Sequence, residues 1–386
     1  MTNPIYLDYA ATTPIAPEVV DSMLPYLSNT ALFGNPSSLH SFGEKSGDAV
    51  EYARKTIAEY LHCKAKELIF TSGATESNNL AIKGIASAYR NQGKHIITSA
   101  IEHKAVLDTC KYLETQGFEV TYLRPNNKGL IVLDDILNAI TGETILVSIM
   151  QVNNETGVIQ PIGEIAQALK DKPLFFHVDA AQSAGKIAID LSTTPIDLMS
   201  ISAHKFYGPK GIGGLYISKR KKPHLQPIVH GGGQEHGLRP GTLPTHQIVG
   251  MATAFQLAQK NLSKDFEHCR QLKRSLLDIL LQVEGVTLNG GQEHALPNII
   301  NLSFDQVGSD SLIIALRDSL AISSGSACNS GAIEASHVLR AMGIEGDRLY
   351  GAIRISLGRY TTEAEIKKAG HAIAEEIRRL RELALT

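Results

Sequence analysis

Between about residues 65 and 255, seven short apolar runs recur at intervals filled by polar or amphipathic sequence: ELIFTSG, KHIITSA, EVTYL, TILVSIM, LFFHVDA, DLMSISA and GGLYIS. Runs of this length, bounded in this way, read as strands. Strand and helix in alternation predict a mainly parallel sheet with both faces covered. The expected fold class is therefore α/β, with a large domain built on a mainly parallel seven-stranded sheet.

From about residue 244 the pattern changes. A long helical stretch runs through IVGMATAFQLAQKNL and FEHCRQLKRSLLDILLQV, and the shorter strands TLNG, NIINLSF, AISSG and AIRISLG follow it. A charged helix, EAEIKKAGHAIAEEIRRLREL, comes last. This predicts a smaller α+β domain. The expected division is residues 16–256 for the large domain, with 1–15 and 257–386 forming the small one. Between the two patterns, PIVHGGGQEHGLRPGT (Pro227–Thr242) concentrates glycine and proline and reads as a long functional loop rather than a linker.

Charge and length exclude several classes of function. A formal net charge of -2 over 386 residues argues against a dominant nucleic-acid-binding face. The start, MTNPIYLDYAATTP, has neither a basic leader nor a long apolar core, and no segment approaches the roughly 18 apolar residues that span a bilayer. A cytoplasmic protein without a membrane partner is expected. Cys63, Cys110, Cys269 and Cys328 are scattered and form no CxxC pair, so neither a disulfide framework nor a zinc module is indicated. The first three lie in helix-like sequence and are expected to be inert. Cys328, in SSGSACNSG, sits among glycine and serine and is expected to be exposed, either by accident or because it reacts.

Candidate chemistry gathers at the predicted strand ends. Lys205, in SAHKFYGPKGIGG, directly follows the run DLMSIS, where open parallel sheets place their ligands. A lysine desolvated there suits an amine nucleophile that forms a Schiff base with an aldehyde cofactor. Asp179, in FFHVDAAQS, ends a hydrophobic strand 26 residues earlier. By itself it reads equally well as a helix cap; beside Lys205 it suits the aspartate that keeps the ring nitrogen of pyridoxal phosphate (PLP) protonated. In FTSGATESNN a strand end, a Gly73 turn and a helix start would aim the N–H groups of Ala74 and Thr75 at a phosphate. His103, in SAIEHKAV, could stack on a flat ring, and the Asn154 amide, in QVNNETG, could donate to a phenolic oxygen.

Taken together, LDYAATTP, GNPSSLH, TSGATESNN, EHKAV, NNETG, HVDAAQ, SAHKFYGPKGIG, GLRPGT, SSGSAC and RISLGR closely resemble, in this order and spacing, the cysteine desulfurases of NifS/IscS type within the class V aminotransferase group. The resemblance runs from about residue 5 to 375. It implies a fold-type I PLP-dependent transferase, a homodimer that takes sulfur from L-cysteine, leaves L-alanine and holds the sulfur as a cysteine persulfide. It further implies that Lys205 carries the cofactor and that Asp179 pairs with the ring nitrogen. Gln182 and Asn154 would hydrogen-bond the 3′-oxygen and nearby substrate, with His103 stacked on the ring. Thr75, Ser202 and His204 would hold the phosphate, joined by Thr242 from the other subunit. Arg354, in AIRISLG, would clamp the substrate carboxylate, and Cys328 would accept the sulfur and pass it to a protein acceptor in iron-sulfur cluster assembly, tRNA thiolation or DNA phosphorothioation. No resident metal is implied, apart from transient ligation of an iron-sulfur cluster by Cys328.

Two positions depart from the family pattern. His236 stands where an arginine is common, and Pro240 where serine is common. The chain also ends at Thr386, without the additional tail with which IscS-type members dock an iron-sulfur scaffold. The competing expectations are a selenocysteine lyase or aminotransferase of the same fold and, from another class, a non-catalytic sulfur or metal carrier. A mobile cysteine argues against a transaminase, and the missing ligand spacing argues against a metal carrier.

Overall fold

The computed structural model describes residues 4–29, 31–324 and 335–384. Its strands in chain order are β1 (Ile5–Tyr6), β2 (Leu68–Thr71), β3 (His95–Ser99), β4 (Glu119–Leu123), β5 (Thr144–Ser148), β6 (Phe175–Asp179), β7 (Leu198–Ser202), β8 (Gly213–Ile217), β9 (Val286–Leu288), β10 (Ile299–Phe304), β11 (Leu320–Ala321) and β12 (Ala352–Ser356). The seven runs expected as strands are β2 to β8, and they form one sheet in the order β2-β8-β7-β6-β5-β3-β4. Only β8 runs against the rest, pairing antiparallel with β2 and β7. The sheet is mainly parallel, as expected.

Both faces of this sheet are buried, which explains why its strands read as continuous apolar runs. Neighbouring residues point to opposite sides. Phe70, Ile97 and Val147 enter one core, while Ile69, Ile96 and Leu146 enter the other. The helices Ala74–Tyr89 and Lys104–Thr115 fill the second core with Leu80, Ile85, Val106 and Leu113.

The helix Thr245–Leu280 ties this layer to a further core. Its first half contributes Ile248, Met251 and Phe255 to the sheet's core, and its second half contributes Leu272, Leu276 and Leu280 to a cluster over the antiparallel sheet β12-β10-β9. The terminal helix Glu363–Ala384 covers that cluster with Ile366, Ile373 and Ile377. β1 pairs in parallel with β11, Ile5 opposite Leu320, so the first residues join the C-terminal part of the chain. Cys110 and Cys269 lie in helices, whereas Cys63 stands just past the end of the helix Ser41–Tyr60 rather than within it. Burial pushes all three thiols up to about 12, so they are inert at neutral pH.

Candidate active site

The carboxyl ends of β2, β3, β5, β6 and β7 converge, and each delivers a side chain. β7 ends at Ser202 and passes into a short turn, Ala203–Lys205. The Lys205 amine reaches back to the N-terminal segment, donating to the carbonyls of Ala10 at 2.7 Å and Ala11 at 2.9 Å. That segment is held where it is needed: Thr13 donates through its N–H and its hydroxyl to the His204 carbonyl, each at 3.0 Å, and Ala10 N–H donates to Ser356 Oγ. Burial and the charge of Arg354 bring Lys205 down to about 8, against the opposing pull of Asp179 and Asp8. A lysine in that range supplies a neutral amine far more readily than an exposed one.

Asp179 ends β6. Its Oδ1 accepts from the Ala181 N–H at 2.9 Å, the turn-capping contact open to any such aspartate, and its Oδ2 accepts from Asn78 Nδ2 at 2.7 Å. His103 caps the helix Lys104–Thr115, with Nδ1 accepting from the Ala105 N–H at 3.0 Å, so a neutral ring carries its proton on Nε2. Burial lowers its proton affinity, the positive charges of Lys205 and His337 act the same way, and Asp179 opposes them. His204, hydrogen-bonded to Thr12 Oγ1 at 3.2 Å, is brought down to about 4 by burial and by Lys205. Both imidazoles are flat, neutral groups beside Lys205.

Beyond β2, Gly73 adopts φ 147° and opens the helix Ala74–Tyr89 without a side-chain cap. The first-turn N–H groups of Ala74 and Thr75 have no intrahelical partners and face the helix's positive end. A Cβ on Gly213 would lie 2.6 Å from Gly73 Cα, which is why two glycines meet here. Glu76, in the helix's first turn, accepts on its carboxylate from the Ser72 N–H and from Arg239 Nε. Thr242 lies exposed on the following loop.

Arg354, on β12, is 6% exposed. It donates from Nη1 to the Asn154 carbonyl at 2.9 Å and from Nη2 to Asp8 Oδ1 at 2.8 Å, and its buried Nε has no partner among the described residues. Asn153 sets the Asn154 turn by accepting the N–H groups of Glu155 and Thr156 on its side-chain oxygen. Gln182 donates from Nε2 to the same Ala10 carbonyl that Lys205 uses, at 2.8 Å.

This set fits PLP. An amine with lowered proton affinity, a carboxylate at the end of the neighbouring strand, a neutral imidazole and an open helix N-terminus lined by Ser202 answer its aldehyde, ring nitrogen, ring face and phosphate. Asn78 Oδ1 and Arg354 Nε, buried without partners among the described residues, mark places where polar groups of cofactor or substrate would be met. Lys205, Asp179, Gln182, His103, Ser202, His204, Ala74, Thr75, Asn154 and Arg354 all stand at these strand ends and the segments packed on them. Cys328 lies outside the described residues.

Several neighbours escaped sequence reasoning. Asp8, Ala10 and Ala11 lie within LDYAATTP and Asn78 within TESNN, motifs that carried the family resemblance without pointing to these contacts. Glu102 lies within EHKAV, a motif that likewise carried the resemblance without pointing to its role. It is wholly buried, its Oε1 accepts from Ser99 Oγ at 2.6 Å and the Met150 N–H at 2.8 Å, and its Oε2 has no partner among the described residues. Burial pushes it up to about 8, so it is a neutral acid at pH 7. Among the described residues no group of three or more His, Cys, Asp or Glu side chains could hold a metal, and no helix is long and apolar enough to cross a membrane.

The family model for aminotransferase class-V matches residues 5–369. The chain is 54% identical over 385 residues to a protein named cysteine desulfurase IscS from Buchnera aphidicola subsp. Acyrthosiphon pisum (strain 5A), covering 100% of this chain and 95% of the relative. A solved structure titled NifS-like protein has a TM-score of 0.91 at 37% identity, covering 97% of this chain and 99% of its own. Another, titled SspA in complex with cysteine, has a TM-score of 0.82 at 41% identity, covering 93% and 100%.

Proposed function

The chain belongs to the aminotransferase class-V family, and from that premise we propose which of its residues carry the reaction. It is a PLP-dependent cysteine desulfurase that takes sulfur from L-cysteine and leaves L-alanine. The observation that carries the assignment is the placement of Lys205, just past the end of β7 with its amine held on the Ala10 and Ala11 carbonyls, beside Asp179 at the end of the paired strand β6.

When bound, PLP supplies an electron sink for the carbanion next to the amino group. The chain's own groups do the rest. Asp179 would keep the ring nitrogen protonated, and Asn78 donates to Asp179 and holds it in place. Ala74, Thr75, Ser202 and His204 would hold the phosphate, His103 would serve the ring face, and Gln182 and Asn154 would donate to the phenolic oxygen and the nearby substrate. Arg354 binds the substrate carboxylate through its fork. Lys205 takes the α-proton of the substrate and returns it. The Cys328 thiolate attacks the substrate's sulfur: an S–S bond forms, the C–S bond breaks, and its electron pair stays on the β-carbon, which takes a proton to become the methyl group of alanine. Cys328 then hands its outer sulfur to a protein acceptor in the cytoplasm.

A homodimer completes the site in this reading, with Thr242 reaching the partner's phosphate. Its support is an exposed apolar stretch near the N-terminus: Leu39 is 96% exposed, and the Phe33 and Phe42 rings, 5.5 Å apart, are 56% and 42% exposed. A second copy would cover such a surface. Residues 16–256 form the large domain, and 1–15 with 257–386 the small one.

The test is Lys205→Ala. The purified variant loses the absorbance that the bound cofactor owes to its bond with lysine; an unchanged spectrum overturns the assignment.

A further inference from the structure

The turn after Asp179 brings a second amine to the site. Gly185 is in the left-handed region at φ 75°, packed so closely on Phe206 that a Cβ would lie 2.8 Å from that ring's Cβ. This conformation favours glycine and carries the chain back, so that Lys186 lines the cavity shared with Lys205. Lys186 Nζ donates to Gln182 Oε1 at 2.8 Å. With Lys186 as donor, the oxygen end of the Gln182 amide faces Lys186 and the NH₂ end faces the other way. There it donates to the Ala10 carbonyl, which also accepts from Lys205. Lys186, Gln182, Ala10 and Lys205 thus form one connected chain of hydrogen bonds.

We infer that Lys186 is a positioning residue: it fixes the Gln182 amide with its NH₂ toward Lys205, so that the phenolic oxygen of the cofactor meets a donor and not a second oxygen. The inference rests on the assignment of Lys205 and Gln182 above. Burial brings Lys186 down to about 7, with the Lys205 and Arg354 charges acting in the same sense and Cys269 against them. In the same cavity Asp265 and Arg359 are paired with each other at 2.7 Å, which leaves Gln182 as the one hydrogen-bond partner of the Lys186 side chain among the described residues.

A donor on the phenolic oxygen draws electron density from the proton shared between that oxygen and the lysine nitrogen, which lowers the pH at which this proton leaves. The experiment is a pH titration of the cofactor's visible absorbance in the PLP-loaded enzyme. Lys186→Met is expected to raise the midpoint by about one unit, the tenfold change in proton affinity that corresponds to losing one hydrogen bond to a charged group. Gln182→Leu should move it in the same direction, and Lys186→Arg, which keeps both donor and charge, should titrate like the wild type. A wild-type midpoint in Lys186→Met overturns the inference. So does a shift in Lys186→Met with none in Gln182→Leu, because Lys186 would then act by charge alone. Should Lys186→Met not retain the cofactor, the other two variants decide: a shifted Lys186→Arg or an unshifted Gln182→Leu overturns it. If Lys205 were misassigned, the wild type itself would lack the lysine-dependent band, which separates that failure from this one.

Discussion

Arg354 and Asp8, 346 residues apart in sequence, are joined by a 2.8 Å hydrogen bond that pins the N-terminal segment against the guanidinium. A second contact, to the Asn154 carbonyl, fixes the plane of the fork, and the Nε–H, without a partner among the described residues, completes a surface for a carboxylate.

Lysine in place of Arg354 keeps the charge but cannot hold Asp8, Asn154 and a carboxylate at once. Arg354→Lys is expected to raise KM for L-cysteine roughly 10- to 100-fold, the equivalent of losing one charge-assisted hydrogen bond of about 1.5–3 kcal/mol. Steady-state kinetics check this; an unchanged KM would remove Arg354 from the substrate site.

Glu102 makes stability depend on pH. At low pH both folded and unfolded chains hold its proton. Above about 4.3 the unfolded chain releases it, while the native carboxyl keeps it up to about 8. Stability is therefore lost progressively across that interval and levels off above it. Glu102→Gln does not titrate, and its amide oxygen can still accept from Ser99 and Met150. Its stability relative to wild type should grow as pH rises from about 5 to 8 in denaturant titrations. Parallel curves would mean that Glu102 is ionised in the folded protein.

Glu235 anchors the loop that carries Thr242. Its carboxylate accepts two hydrogen bonds from Arg54, at 2.7 and 2.8 Å, and one from the Phe70 N–H, and Arg54 also lies over the Phe70 ring. Glu235→Ala leaves a buried guanidinium and a backbone N–H without this acceptor. A loss of about 3–5 kcal/mol is expected in urea unfolding; a loss within the range of an exposed pair, below about 1 kcal/mol, contradicts this reading.

The sheet was legible in the sequence because β2, β3, β5 and β7 are buried on both faces and so stand out as short, largely apolar runs. Lys205 and Asp179 were legible because strand ends are where such sheets put their chemistry. The remainder depends on contacts between distant segments. β1 and β11 are two residues each, too short for any period to register, yet their pairing brings Asp8 and Ala10 to the site. Glu102 looks like any charged residue after a strand until its burial is known. Lys186 could be recognised only once Gln182 was seen to face it.

Cys328 is central to the account, since the other residues assigned here only prepare the sulfur it is to receive. The most direct measurement is mass spectrometry of peptides from wild-type enzyme after a single turnover with L-cysteine, without reductant. The account predicts a mass gain of one sulfur atom on the peptide that contains Cys328, matched by one equivalent of alanine, and no alanine from Cys328→Ala. Sulfur found instead on Cys63, Cys110 or Cys269, or alanine formed at the wild-type rate by Cys328→Ala, would contradict it.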